Sequence, residues 1–218
     1  EETPEVFDTF MEYTTKAYQS MEIPLELSFI PIHPGDILSY GGYHFEVKLL
    51  KGHTFGQCGL YEPEKKLMFV GDQLMTTIVP IVGTQETDLG MLKCYLDSLG
   101  DLKHNYKDCY FLPCHYGEIR NVEKEVNRII LGYLEKCEIM KHVLEEAGTA
   151  LTTRDIGVRT YGRSQGPPDY AHFASCTYIW AKTFSCMEYM MGEGFVERSE
   201  RDGIIYWKAP SIHFENNR

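Results

Sequence analysis

The stretch from Lys51 to Leu74, KGHTFGQCGLYEPEKKLMFVGDQL, leaves this chain few folds to adopt. It follows the apolar run Tyr43 to Leu50 and turns at once through Gly52-His53-Thr54-Phe55-Gly56. Two strand-like segments around the charged turn Glu62-Pro63-Glu64-Lys65-Lys66 come next, and the second ends in Gly71-Asp72. Some forty residues on, the run Tyr110 to Leu112 delivers His115 into a turn closed by Gly117. Loops at the ends of a rigid sheet are where a fold commonly presents its chemistry. Two imidazoles and one carboxylate, each at a strand end beside a glycine, are donors that a borderline metal such as zinc takes. Gly-Asp is also ordinary turn chemistry, and a lone turn histidine needs no ligand role.

Together the segments Gly52-His53-Thr54-Phe55-Gly56, Leu67-Met68-Phe69-Val70-Gly71-Asp72 and Leu112-Pro113-Cys114-His115-Tyr116-Gly117 resemble the third, fourth and fifth motifs of the metallo-β-lactamase-fold hydrolases. Between them, Leu92-Lys93-Cys94-Tyr95-Leu96-Asp97-Ser98-Leu99 is similar to a Tyr-Leu-x-Ser-Leu helix of the β-lactamase-like protein 2 subgroup, whose members carry a winged-helix tail. The resemblance implies an α/β (α+β) chain: the second half of an αββα sandwich over 1–120, a linking helix over 121–150, and a winged-helix-like domain over 151–218. It implies that His53 holds a first metal, His115 a second, and Asp72 both. One or two zinc ions are expected, with manganese or iron as alternatives. His115 sits in Cys-His-Tyr-Gly where the family's usual turn is Pro-Gly-His-Gly, a change that keeps the ligand type.

The family's His-x-His-x-Asp-His motif has no counterpart here. The eight histidines are His33, His44, His53, His104, His115, His142, His172 and His213, and no two are separated by a single residue. The expected function is therefore part of a metal-dependent hydrolase acting on an ester, thioester, lactone, amide or phosphodiester. By itself the chain is expected to be inactive, with its metal site weak or empty and no catalytic residue assigned beyond the ligands. Its expected partners are a small-molecule substrate in the intact protein, and either a complementary N-terminal half or a second copy. The alternative is a non-enzymatic winged-helix regulator or dimerisation module on a degenerate hydrolase scaffold.

Charge bears on that alternative. The net charge is -11, yet from Leu151 onward eight basic residues face eight acidic ones, so the whole acidic excess lies in the first 150 residues. Nucleic-acid binding leaves a basic footprint, and Arg154, Arg159 and Arg163 are the one cluster to test, so a nucleic-acid partner is not favoured. Seven cysteines without a Cys-x-x-Cys pair read as reduced thiols of a cytoplasmic protein. No apolar run approaches the roughly 18 residues of a membrane span, and the start carries no signal-peptide pattern.

Periodicity supplies the frame. Thr3-Pro4 opens a helix with Val6, Phe7, Phe10, Met11, Ala17, Tyr18 and Met21 on one face, ended by Pro24. His33 and Asp36 read as turn residues, and Gly41-Gly42 joins two strands in a hairpin that leaves His44 on the solvent side. Gln73 to Asp88 reads as irregular, Met91 to Leu102 as a helix, and Asp108 to Leu112 as a strand. Cys114 reads as a filler beside the ligand turn. Val122 starts a long amphipathic helix that stops at Gly148, with His142 in an ion-pair ladder with Glu138 and Glu146. Thr152-Thr153-Arg154-Asp155 suggests a capping box, Arg159 to Tyr170 a loop, Ala171 to Met191 a helix, and Asp202-Gly203 a hairpin turn between Phe195–Arg198 and Ile204–Lys208.

Overall fold

In a computed structural model the residues described are Asp8, Met11, Glu12, Thr15, Lys16, 29–84, 90–162 and 170–210, with the side chains of 170–176 left aside. The N-terminal helix expected between Thr3 and Pro24 lies mostly outside them. Its described residues are helical, and Met11, placed on the apolar face by periodicity, is 45% exposed.

The double-glycine turn forms as expected. Gly41 and Gly42 take φ of 58° and 82°, the left-handed pair a type I′ turn requires, and join β1 (Ile37–Tyr40) to β2 (Tyr43–Leu49). β3 (Cys58–Glu62) and β4 (Leu67–Gly71) continue the antiparallel meander. β5 (Tyr110–Pro113) then joins parallel to β4, completing a sheet ordered β1-β2-β3-β4-β5. A parallel neighbour needs a crossover, and α1 (Met91–Asn105) makes it. That helix runs three residues beyond the expected Leu102.

Alternation along the strands decides which face is covered. Met68, Val70 and Phe111 are fully buried against Leu92, Tyr95, Leu99 and Leu102 of α1, and against Val126, Ile129 and Tyr133 of α2 (Val122–Ala147). The register Val47↔Leu60↔Phe69↔Leu112 sets the opposite face, where Phe69 is 40% exposed. One side of the sheet carries helices; on the other, Leu49 and Phe69 are exposed while Val47 is fully buried.

α2 is capped at both ends as its sequence requires: the Asn121 side chain accepts from the Lys124 N–H, and Gly148 takes a left-handed φ of 60°. His142 meets Glu138 at 3.4 Å and Glu145 at 3.1 Å, so its second partner is not the expected Glu146. β6 (Leu151–Thr152) leads into α3 (Thr153–Tyr161), opened by a complete capping box between Thr152 and Asp155. Arg159 to Tyr161, expected in a loop, form the last turn of α3, ended by Gly162 at φ 67°.

α4 (Tyr170–Gly192) follows, then β7 (Glu197–Arg201) and β8 (Ile204–Lys208) around Asp202-Gly203. β7 starts two residues later than expected, and Phe195 lies exposed before it. The second sheet is ordered β6-β8-β7. Its anchor is Trp207, fully buried, whose indole N–H donates to Thr153 Oγ1 at 2.9 Å. Ile156, Cys186, Met187, Met190 and Trp207 join Tyr133, Cys137, Met140 and Leu144 of α2 in one continuous apolar core. The described cysteines are all free.

Two charged side chains of α4, Lys182 and Glu188, lie within this packing. Lys182 is 7% exposed, with its ammonium 4.9 Å from the Tyr133 ring centre and 5.6 Å from that of Tyr178. Burial pulls its pKa below the ordinary 10.5. Lys182→Met is therefore expected to raise stability by about 1 kcal/mol at neutral pH. The advantage should shrink as pH climbs toward 10.5, where the unfolded lysine also loses its proton. Paired urea titrations of the two proteins at pH 7 and pH 10 check both the sign and the trend.

Candidate metal centre

Three strand ends build the site. After β2 the chain reaches Gly52 at φ +146°, where a Cβ would stand 2.3 Å from Tyr95 Cδ2 and 2.7 Å from Tyr95 Cα. The backbone thus lies directly on α1, and His53 emerges beyond it. At the end of β4 the register shifts between Phe69 and Gly71, a bulge of the kind that re-aims a side chain. Gly71 turns at φ +58° over the amide of Gln57, and Asp72 follows. β5 is tied to the same corner by Cys114 N–H donating to Gly71 O at 3.1 Å, which brings His115 alongside.

The three residues proposed from sequence meet at Asp72. His53 Nε2 is 3.5 Å from Asp72 Oδ2, and His115 Nε2 is 3.5 Å from Asp72 Oδ1. His53 Nδ1 lies 2.8 Å from the carbonyl oxygen of Ile81. A carbonyl can only accept, so Nδ1 carries a proton there, and in the neutral form of the ring Nε2 is the nitrogen that presents its lone pair toward the carboxylate. Asp72 Oδ1 is a buried atom with no hydrogen-bond partner. The lone pair that the neutral His53 ring turns on Asp72 Oδ2 across 3.5 Å, beside an Oδ1 that is buried without a hydrogen-bond partner, suits a cation at this corner. Donating the second ring nitrogen to a backbone carbonyl is also how a metal-binding histidine is usually oriented.

The donor set accordingly fits zinc. It makes two pairs sharing one carboxylate; among the described residues no three His, Cys, Asp or Glu side chains close around a single point. His115 is 63% exposed and Asp72 27%, so the site opens toward solvent on the His115 side. Tyr116 beside it holds a left-handed φ of 67°. Cys114, between Pro113 and His115, is exposed. His33 lies 3.6 Å from Asp36 in its own turn, and His44 pairs with Ser39, so neither joins the centre.

Two features had no sequence signal. Gln73, fully buried, sits between the His53 loop and α1, and a glutamine after Gly-Asp looks like any polar loop residue. The segment after it is irregular, as expected, yet firmly pinned. Arg128 Nη2 donates to Met75 O at 2.7 Å and to Ile78 O at 3.2 Å, Tyr133 Oη donates to Pro80 O at 2.7 Å, and Tyr178 Oη to Val79 O at 3.0 Å. Burial pushes the pKa of both phenols up, so both remain donors. Gly83 N–H donates to Gly52 O at 2.9 Å and closes the loop over His53. Hydrogen-bond donors 50 or more residues downstream thus pin the segment just before Ile81, whose carbonyl orients His53.

Known proteins share this architecture. No protein-family model matches the chain. Hydroxyacylglutathione hydrolase GloC of Haemophilus influenzae is 50% identical over 40 residues, which are 18% of this chain and 19% of that protein. A β-lactamase domain protein from Burkholderia ambifaria matches with a TM-score of 0.79 and 18% identity, over 96% of this chain and 58% of its own. A metallo-β-lactamase family protein from Thermus thermophilus matches with a TM-score of 0.70 and 21% identity, over 93% of this chain and 65% of its own. The fold is that of metallo-β-lactamase structures, and the chain spans less than two thirds of each of these two.

Proposed function

We propose that this chain, with its metallo-β-lactamase fold, supplies the second half of a metal-dependent hydrolase site in which His53, Asp72 and His115 are ligands. The observation that carries the reading is the shared carboxylate: each oxygen of Asp72 faces a different imidazole at 3.5 Å, and Ile81 O keeps the proton of His53 on the far nitrogen. Zinc suits this set best, with manganese or iron as alternatives. Bound there, the metal supplies Lewis acidity toward water and toward the substrate's scissile oxygen.

The chain's own residues do the positioning. Ile81 O fixes the tautomer of His53, Asp72 supplies the negative charge between the rings, and His115 stands at the open rim where a substrate enters. Three ligands do not complete two metal sites, so the remaining donors come from a segment carrying the His-x-His-x-Asp-His pattern. Among substrates we favour acyl compounds, thioesters first. The 40-residue stretch half identical to a hydroxyacylglutathione hydrolase supports that choice, and the acidic excess of the first 150 residues disfavours a phosphodiester.

The part after Leu151 we read as a winged-helix-like module, with the boundaries 1–120, 121–150 and 151–218 dividing sandwich half, linking helix and tail. A packing or dimerising role suits its eight basic and eight acidic residues better than nucleic-acid binding. Of the arginine cluster, Arg163 lies outside the described residues. Free cysteines suit a reducing cytoplasm, and among the described residues no helix is long and apolar enough to cross a membrane.

The test is complementation. The chain is mixed with a separate polypeptide carrying the His-x-His-x-Asp-His half-sandwich, and thioester, lactone and phosphodiester probes are assayed with zinc. Expected are no turnover by either piece, thioester hydrolysis by the mixture, and its loss in His53→Ala. Turnover by the repurified chain alone, abolished by His53→Ala, overturns the incomplete-site reading. A phosphodiester preference overturns the acyl assignment.

A further inference from the structure

We infer that Gln73 is the positioning residue that sets His53 against Asp72, an inference that rests on reading those two as metal ligands. Gln73 is fully buried, and its side chain spends every donor inside the protein. Nε2 donates to Lys51 O at 3.1 Å and to Ser98 Oγ at 3.0 Å, while Oε1 accepts from the His53 N–H at 3.4 Å. The Gln73 carbonyl accepts from Tyr95 Oη at 2.8 Å, and its N–H donates to Val70 O at 3.1 Å. One amide thus brackets Gly52 on both sides, through Lys51 and His53, and is itself the neighbour of Asp72.

The two ligands come from different strand ends, so their separation is not fixed by covalent geometry. Gln73 fixes it by joining the backbone after β4 to the backbone after β2, and α1 holds the joint. Tyr95 presses its ring on Gly52 and sends its hydroxyl to Gln73, and Ser98, one turn on, takes the second amide proton. A satisfied buried polar network of this kind specifies one arrangement where an apolar filler would allow several. The Tyr95-Leu96-Asp97-Ser98-Leu99 segment thereby gains a concrete role, since two of its polar side chains bind the residue that aligns the ligands.

The test compares Gln73→Met, of similar volume without the bonds, with Leu99→Ala as a control that removes only apolar packing from α1. The first readout needs no metal: the side-chain Nδ1–H of His53 in ¹⁵N-histidine-labelled protein, held from exchange by Ile81 O. It is expected in the wild type and in Leu99→Ala, and lost in Gln73→Met. The second readout is zinc affinity of the chain paired with the His-x-His-x-Asp-His half, by competition with a chromogenic chelator, expected to fall about tenfold or more in Gln73→Met and to stay within about twofold in Leu99→Ala. A retained His53 signal in folded Gln73→Met overturns the positioning role. So does a zinc affinity reduced equally by Leu99→Ala. If Gln73→Met does not fold, Ser98→Ala decides, since it removes one acceptor from the same amide: weakening of the His53 signal supports the role, and an unchanged signal overturns it. Loss of the His53 signal in Gln73→Met, with no zinc bound by any variant, leaves the positioning role standing and defeats the ligand reading instead.

Discussion

Asp72→Ala is expected to abolish zinc retention by the site completed with the His-x-His-x-Asp-His half, while leaving the chain folded and no less stable without metal. The carboxylate stands between two imidazole nitrogens at 3.5 Å each, so its removal takes away the one negative charge that faces both rings. A loss of roughly 100-fold or more in affinity should follow. In the metal-free protein the sign reverses, because Oδ1 is buried with no hydrogen-bond partner. Deleting such an atom relieves a desolvation cost on the order of 1 kcal/mol. His53→Ala should lose zinc as completely and behave oppositely in stability, since it strips Ile81 O of its donor. Metal content by plasma mass spectrometry, chelator competition and urea melts of the metal-free proteins separate the two variants. Near-stoichiometric zinc in Asp72→Ala sinks the ligand assignment.

Gly52→Ala is expected to be the most destabilising methyl that can be added to this chain near the site, costing about 3 kcal/mol or more. The new Cβ would meet not just the Tyr95 ring but its Cα at 2.7 Å, so no rotamer change relieves it. A φ of +146° adds backbone strain for any side chain. Gly56→Ala, further along the same loop with nothing within 4 Å of where its methyl would stand, should be near neutral. Chemical denaturation of the pair tests the contrast; equal stabilities would mean that α1 does not bear on the loop.

Much of this was legible because the decisive signals are local. Glycine pairs dictate hairpins, a threonine followed three residues later by aspartate dictates a helix start, and apolar spacings of three and four delimit α2 almost to the residue. His53, Asp72 and His115 were legible as strand-end residues beside glycines, and the structure brings all three to one corner of the sheet. Gln73 acts through bonds to Lys51, His53 and Ser98, none of them its sequence neighbours, so its residue type says nothing of what it does. β6 is two residues long, too short to show alternation, and exists because Trp207 and Tyr206 pair with it. Arg159 to Tyr161 read as loop because of the glycine after them, whereas that glycine caps the helix they end.

The bond from Tyr178 to Val79 spans 99 residues and has a consequence in time as well as in space. The loop that orients His53 is complete only when α4 has packed on α2. During synthesis at about 5–20 residues per second, Ile81 waits roughly 5–20 s for Tyr178 to be made. Contacts this distant in sequence also slow folding, because a long loop must close before they are rewarded. A growing chain, or one cut short within α4, therefore holds both histidines and the aspartate without the clasp that aims them. The aim of His53 toward Asp72 is thus set in part by a residue about a hundred positions further along the chain.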